Sequence, residues 1–277
     1  MNVNRNDFSG KTSVPGGEYG EIHVSGSGRV NGDLSCEELH TSGVTTVEGK
    51  LNCRGRVSTS GSCKISGDAV AQEMTTSGSC RCEGNFEIKG KADTSGSFTC
   101  RGNLKALELK SSGSTKAGGD AKLGSAVTSG SLTVGGSLTA GDLKTSGKLE
   151  VGKDCEAERF EASGLINIGG LLNAEEIVIQ LVGPMDSRVG SIGCDKLEVS
   201  WKRGGMSLLD NLFGLKTGGT LTTGTVEGDF ISLSHVRADC VRGRDIHIGE
   251  GCEICLVEYS GELSVEPSSK IGTRNKI

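Results

Sequence analysis

Bulky aromatic side chains are scarce: six Phe, two Tyr and one Trp make up 3% of 277 residues. A single globular core takes much of its buried area from such residues, so one packed sphere is a poor expectation. Proline is limited to three residues and glycine does not recur every third position, which excludes a collagen-like chain. No apolar run approaches the roughly 18 residues that a membrane-spanning helix needs. The formal net charge is −5, so there is no basic footprint for nucleic acid. Lys202-Arg203, Arg242-Gly-Arg244 and Lys270…Lys276 are short clusters that read as solvated surface. The four histidines, His23, His40, His235 and His247, occupy unrelated phases with no nucleophile at a suggestive spacing. No glycine run ends in the Gly-Lys-Ser/Thr of a phosphate loop. Catalytic residues, metal, cofactor and nucleotide are therefore all expected to be none. Met1-Asn-Val-Asn-Arg-Asn-Asp7 has no apolar signal region and no acceptor glycine for myristoylation, so a cytoplasmic location is expected.

What the chain has in abundance is glycine, 45 residues of it, and the glycines keep count. A Ser-Gly pair recurs with its glycine at 26, 43, 61, 78, 96, 113, 130, 147 and 164, in steps of 17 or 18. A second column follows six residues behind at Gly32, Gly49, Gly67, Gly84, Gly102, Gly119 and Gly136. Strict periodicity of this kind means one unit stacked on copies of itself.

The phase of the apolar residues identifies the unit. Four positions after each Ser-Gly glycine stand Val30, Val47, Ile65, Cys82, Cys100, Ala117, Val134, Val151 and Ile168. Eight and ten positions after it stand pairs such as Leu34/Cys36, Phe86/Ile88 and Leu138/Ala140, with polar residues between them. A gap of two is strand alternation. A third segment is marked at position thirteen by Leu39, Met74, Leu109 and Leu143. Three short strands per copy, joined at glycine corners, predict an all-β fold: a parallel β-solenoid of about 17–18 residues per rung.

The pattern suggests four regions: a flexible tail over 1–19, nine regular repeats over 20–182, an interruption over 183–220, and a less regular solenoid block over 221–277. Within the interruption, Leu208, Leu209, Leu212 and Phe213 fall on one face of a short helix candidate, 206–215. With Trp201, these four residues are the candidate contact for a partner or a membrane surface; the alternative is a helix folded back on the solenoid. Of the eleven cysteines, six share apolar columns in pairs, Cys36 with Cys53, Cys63 with Cys80, Cys82 with Cys100. They read as small buried hydrophobes, free and unpaired. Cys252-x-x-Cys255 is a single CxxC and a weak zinc signal.

Three other functions fit less well. A solenoid acyltransferase would repeat an aliphatic residue every six positions, which this chain does not. An ice-binding face would present outward threonine pairs, whereas Thr41, Thr59, Thr76 and Thr94 share the parity of the inward residues. A non-polymerising partner adaptor remains as the alternative to self-assembly. The ends decide between them: no capping helix is evident before Ile22 or after Ile271, and an uncapped solenoid templates strand addition. Ile22, Val24 and Val30 at one end, and Leu263, Val265 and Ile271 at the other, are the expected polymer interface.

The glycine-punctuated rungs, with Val30-Asn-Gly-Asp-Leu34, Cys82-Glu-Gly-Asn-Phe86, Val226-Glu-Gly-Asp-Phe230 and the late Ile248-Gly-Glu-Gly-Cys-Glu-Ile254, resemble the bactofilins, bacterial polymer-forming cytoskeletal proteins. The resemblance implies a right-handed β-helix, nucleotide-independent filaments, and scaffolding in cell shape, envelope synthesis or motility. It implies self as the main partner, with a paralogous solenoid protein or a membrane-associated client besides. The chain departs from the family in having few prolines, an interrupted repeat, and no apolar membrane-targeting N-terminus.

Overall fold

The computed structural model describes residues 5–202 and 219–277, which fall into two compact units, 1–138 and 139–277. Each unit is a parallel β-solenoid, and no helix occurs among the described residues. The candidate helix 206–215, with Leu208, Leu209, Leu212 and Phe213, lies outside them.

In residues 1–138 each rung has three faces. The first carries strands such as Ser62–Ile65, Ser79–Cys82, Ser97–Cys100 and Ser114–Ala117, paired in parallel and in register, Cys63 with Cys80 and Thr99 with Lys116. The second face stacks Leu51, Ala69, Phe86, Leu104 and Ala121. The third stacks Leu39, Val57, Met74, Ala92, Leu109 and Ala126. These columns are buried throughout, so each residue packs on its counterparts in the neighbouring rungs. Parallel pairing with a sequence step of 17 or 18 is the physical content of the glycine count.

Both glycine columns have steric causes. A Cβ at Gly78 would lie 2.7 Å from the Ser60 carbonyl carbon and closer still to the Gly61 oxygen. That corner is closed by Gly78 N–H donating to Thr59 O at 3.1 Å and Ser79 N–H to Gly61 O at 2.8 Å. The second column makes room for a side-chain ladder. Asp68 Oδ1 accepts from the backbone N–H of Asn85 at 2.8 Å, Asn85 Oδ1 from Asn103 at 2.8 Å, and Asn103 Oδ1 from Asp120 at 2.8 Å. A Cβ at Gly84 would sit 2.5 Å from Asp68 Oδ1. The ladder recurs in the other unit, Asp154 to Leu171 and Asp245 to Glu262. The threonine column Thr41, Thr59, Thr76 and Thr94 points inward and is buried, so these hydroxyls line the core corner.

Two expectations need correction. Residues 5–18 are not a tail. Strand Arg5–Phe8 pairs with Glu21–Val24, and Lys11–Glu18 pairs with Ser27–Cys36, adding a further rung. Its step to the next rung, Phe8 to Val24 and Val14 to Val30, is shorter than the regular one, which hid it from a count based on Ser-Gly pairs. Nor is 183–220 wholly an interruption. Strand Ser187–Lys202 pairs with Leu165–Val182 on one side and Leu221–Leu233 on the other, burying Val189, Ile192, Leu197 and Val199. Its step from the preceding rung, Leu172 to Ile192, is longer than the regular one, which broke the apparent period. The later rungs shorten again, with Val226, Val241 and Val257 in one column.

Candidate functional site: the end rungs

An interior rung hydrogen-bonds to a neighbour on each side. The rung of Arg5–Phe8 and Lys11–Glu18 has a neighbour on one side only among the described residues. Its inward residues Asn6, Phe8, Thr12 and Val14 are half-buried, where the same columns one rung deeper are sealed. Phe8 stands over Val24, Asn6 over Ile22 and Val14 over Val30. Ile22, Val24 and Val30 are consequently only 1–2% exposed and do not form the end surface expected of them. Phe8 and Val14 occupy that position instead. The signal was in the sequence, since both precede their covered partners by the same shortened step, but without a Ser-Gly marker.

At the other end, strands Leu263–Val265 and Lys270–Lys276 form the last rung, paired back to Val236–Ile248 and Glu253–Tyr259. Leu263, Val265 and Ile271 are half-buried there, each lying over a buried Ile246, Ile248 or Ile254. Both end rungs therefore offer apolar inward residues beside an edge with no strand partner among the described residues. Each also carries a device that limits promiscuous pairing. Pro15 removes one N–H from the first rung, and Lys270, Arg274 and Lys276 decorate the last.

The remaining sequence candidates are scattered. Trp201 is half-buried with its ring 4.7 Å from that of His235, so it packs on its own solenoid. His23 stacks on His40 at 4.6 Å, and His247 shares a hydrogen bond with Ser264 at 2.6 Å in a shallow groove of about 330 Å³ beside Phe230. All eleven cysteines are free. Cys36 is hydrogen-bonded to Cys53, which with burial pushes the Cys36 thiol up. Burial alone pushes Cys155 up to about 12. Cys252 points inward and Cys255 outward, so the CxxC pair does not converge. No group of three or more His, Cys, Asp or Glu is arranged for a metal among the described residues.

The molecule is thus of the class of parallel β-solenoids whose distinctive surfaces are its open rungs. Residues 7–87 match the model of the bactofilin family, described as polymer-forming cytoskeletal. It is 36% identical over 104 residues to the uncharacterized protein YhbE of Bacillus subtilis (strain 168), covering 38% of this chain and 42% of that one. To YhbF of the same organism it is 36% identical over 59 residues, covering 21% and 25%. The match spans less than half the length of either relative. No solved structure matches. The match over residues 7–87 and the solenoid fold together support a cytoskeletal type of role.

Proposed function

We propose that this protein polymerises end to end, without nucleotide, into a filament that scaffolds cell-shape, envelope or motility machinery in the cytoplasm. The observation that carries the reading is the pair of open rungs: half-buried Phe8 and Val14 at one end, Leu263, Val265 and Ile271 at the other, each beside a strand edge unpaired among the described residues. Stacking covers both at once. Apolar surface leaves water at about 25 cal/mol per Å², and the free N–H and C=O groups gain strand partners in the geometry that every interior rung already uses. The partner is a second copy, or a paralogous solenoid protein with the same rung dimensions.

The test is negative-stain microscopy of the purified protein without nucleotide or metal, comparing wild type with Phe8→Lys/Val14→Lys and with Leu263→Lys/Ile271→Lys. Filaments in wild type, lost in at least one variant whose circular dichroism is unchanged, are expected. Wild-type protein that stays as single particles at high concentration would overturn the reading.

A further inference from the structure

Many charges on the surface pair with an opposite charge on a neighbouring rung. Arg56 meets Glu73 at 2.6 Å, Lys105 meets Glu87 at 2.8 Å, and Glu176 holds both Arg159 at 3.1 Å and Lys196 at 3.0 Å. Opposite charges on neighbouring strands stabilise a sheet and like charges destabilise it. Two ladders break this arrangement.

The first lies on the first face of residues 1–138. Its outward positions carry Lys11, Arg29, Lys64, Arg81 and Lys116, otherwise only Ser, Thr and Val44, and no acidic residue. Arg29 and Arg81 reach over one edge to Glu48 and Glu83 at 2.8 and 2.7 Å. Lys64 and Lys116 have no ion pair among the described residues. Lys64, Arg81, Thr99 and Lys116 are register partners on four successive rungs.

The second lies on a corner of residues 139–277. Glu158, Glu175, Asp195 and Asp229 stand on four successive rungs, fixed by the pairings on either side of them. All four are exposed, and none has an ion pair among the described residues. Of their basic neighbours, Arg159 and Lys196 are held by Glu176, and Arg244, one rung beyond Asp229, is held by Asp245 and lies over the Phe230 ring. The field of this corner reaches Cys194, whose thiol is pushed up to about 12 by burial first and then by Asp195 and Asp229.

The two ladders are commensurate. Each spans three rung steps of about 4.8 Å, or roughly 14 Å. One is spread on a face and the other projects from a corner. The overall balance follows the same division: residues 1–138 hold 15 of the 30 basic residues against 14 of the 35 acidic, leaving 15 against 21 in residues 139–277.

We propose that the basic face of residues 1–138 docks side by side on the acidic corner of residues 139–277 of a second copy of this chain, with Lys64, Arg81 and Lys116 facing Glu158, Glu175, Asp195 and Asp229. This contact is lateral and leaves the end rungs free, so it goes beyond end-on stacking and does not rest on it. Each exposed pair is weak, but repetition at a shared spacing adds the pairs within one encounter. The association is salt-sensitive, because screening shortens from about 30 Å at 0.01 M salt to about 3 Å at 1 M.

Charge exchange in trans tests it, using full-length protein in sedimentation velocity and microscopy at about 0.02 M and about 0.5 M salt. Lateral association reads as filament width, or as discrete dimers if no filaments grow, so its failure is distinguishable from failure of end-on assembly. Wild type associates at low salt and separates at high salt. Lys64→Glu/Lys116→Glu alone, and Glu158→Lys/Asp195→Lys alone, each weaken association by about tenfold or more. An equal mixture of the two variants restores it, since reversed face then meets reversed corner; restoration also shows that both variants are folded. Absence of lateral association in wild type, indifference to either reversal, or no recovery in the mixture overturns the proposal.

Discussion

Replacing Gly78 by alanine tests the stacking geometry most directly, because one methyl group is aimed at the backbone of the rung below. Its Cβ would stand 2.7 Å from the Ser60 carbonyl carbon, well inside the 3.4–4 Å of ordinary contact, and nearer still to the Gly61 oxygen. The obstacle is main chain, which cannot rotate away as a side chain would. Relief requires the rungs to part locally, and the Ser79 N–H to Gly61 O bond at 2.8 Å is the first to lengthen, followed by Gly78 N–H to Thr59 O at 3.1 Å. Each net hydrogen bond is worth about 1 kcal/mol, and overpacking strain adds about 1–3 kcal/mol. A total near 3 kcal/mol, against a urea dependence of about 3 kcal/mol per molar for a chain of this size, lowers the midpoint by about 1 M. The assay is urea unfolding followed by circular dichroism, with Ser77→Ala as the control; Ser77 is exposed, and its loss should leave the midpoint within about 0.2 M. A Gly78→Ala midpoint indistinguishable from the control would refute the claim that this column is glycine for steric reasons.

Three further outcomes follow from the geometry. Asp68→Ala leaves Asn85 N–H without its 2.8 Å acceptor and should cost about 1–2 kcal/mol, while Asp68→Asn, which keeps the oxygen, should recover most of it in the same urea assay. Phe98, fully buried and edge-on to Phe86 at 5.4 Å, should cost about 3–5 kcal/mol on replacement by alanine. Burial raises Cys155 from about 9 to about 12, so its thiol stays protonated in the fold while the unfolded chain ionises first. Its contribution is whole below pH 9 and is lost as pH rises toward 12; Cys155→Ala should flatten the alkaline limb of a stability-against-pH profile, and an unchanged limb would count against the burial argument.

Much of the fold was legible because a solenoid repeats its constraints. Val47, Ile65 and Cys82 occupy one column of the sequence and one column of the core, so the fold class could be read without any tertiary information. What escaped were features defined by departure from the period. Val14 and Phe8 precede Val30 and Val24 by a shortened step and carry no Ser-Gly marker, so the first rung passed for a tail and Ile22, Val24 and Val30 for its end. Strand Ser187–Lys202 follows a lengthened step, because extra residues at the Gly183 corner extend a turn without disturbing the strands it joins. The Asp68–Asn85–Asn103–Asp120 ladder was visible only as residues following glycines; that each oxygen serves the next rung needed the register. The acidic corner was likewise invisible, since Glu158, Glu175, Asp195 and Asp229 are unequally spaced along the chain.

In-register stacking also makes length a countable property. Excising residues 62–78 would join Gly61 to Ser79, the residue type that already follows it, and would bring Cys80 and Cys82 opposite Thr45 and Val47 in place of Cys63 and Ile65. Phe86 would inherit the place of Ala69 over Leu51. No new kind of junction is created, only a change in which neighbours meet. Such a chain can gain or shed whole rungs by duplication or deletion of about 17 codons, keeping both of its end rungs as they are. Its lineage can adjust the span of the particle in quanta of one strand spacing, about 4.8 Å, as a ruler is cut at its marks.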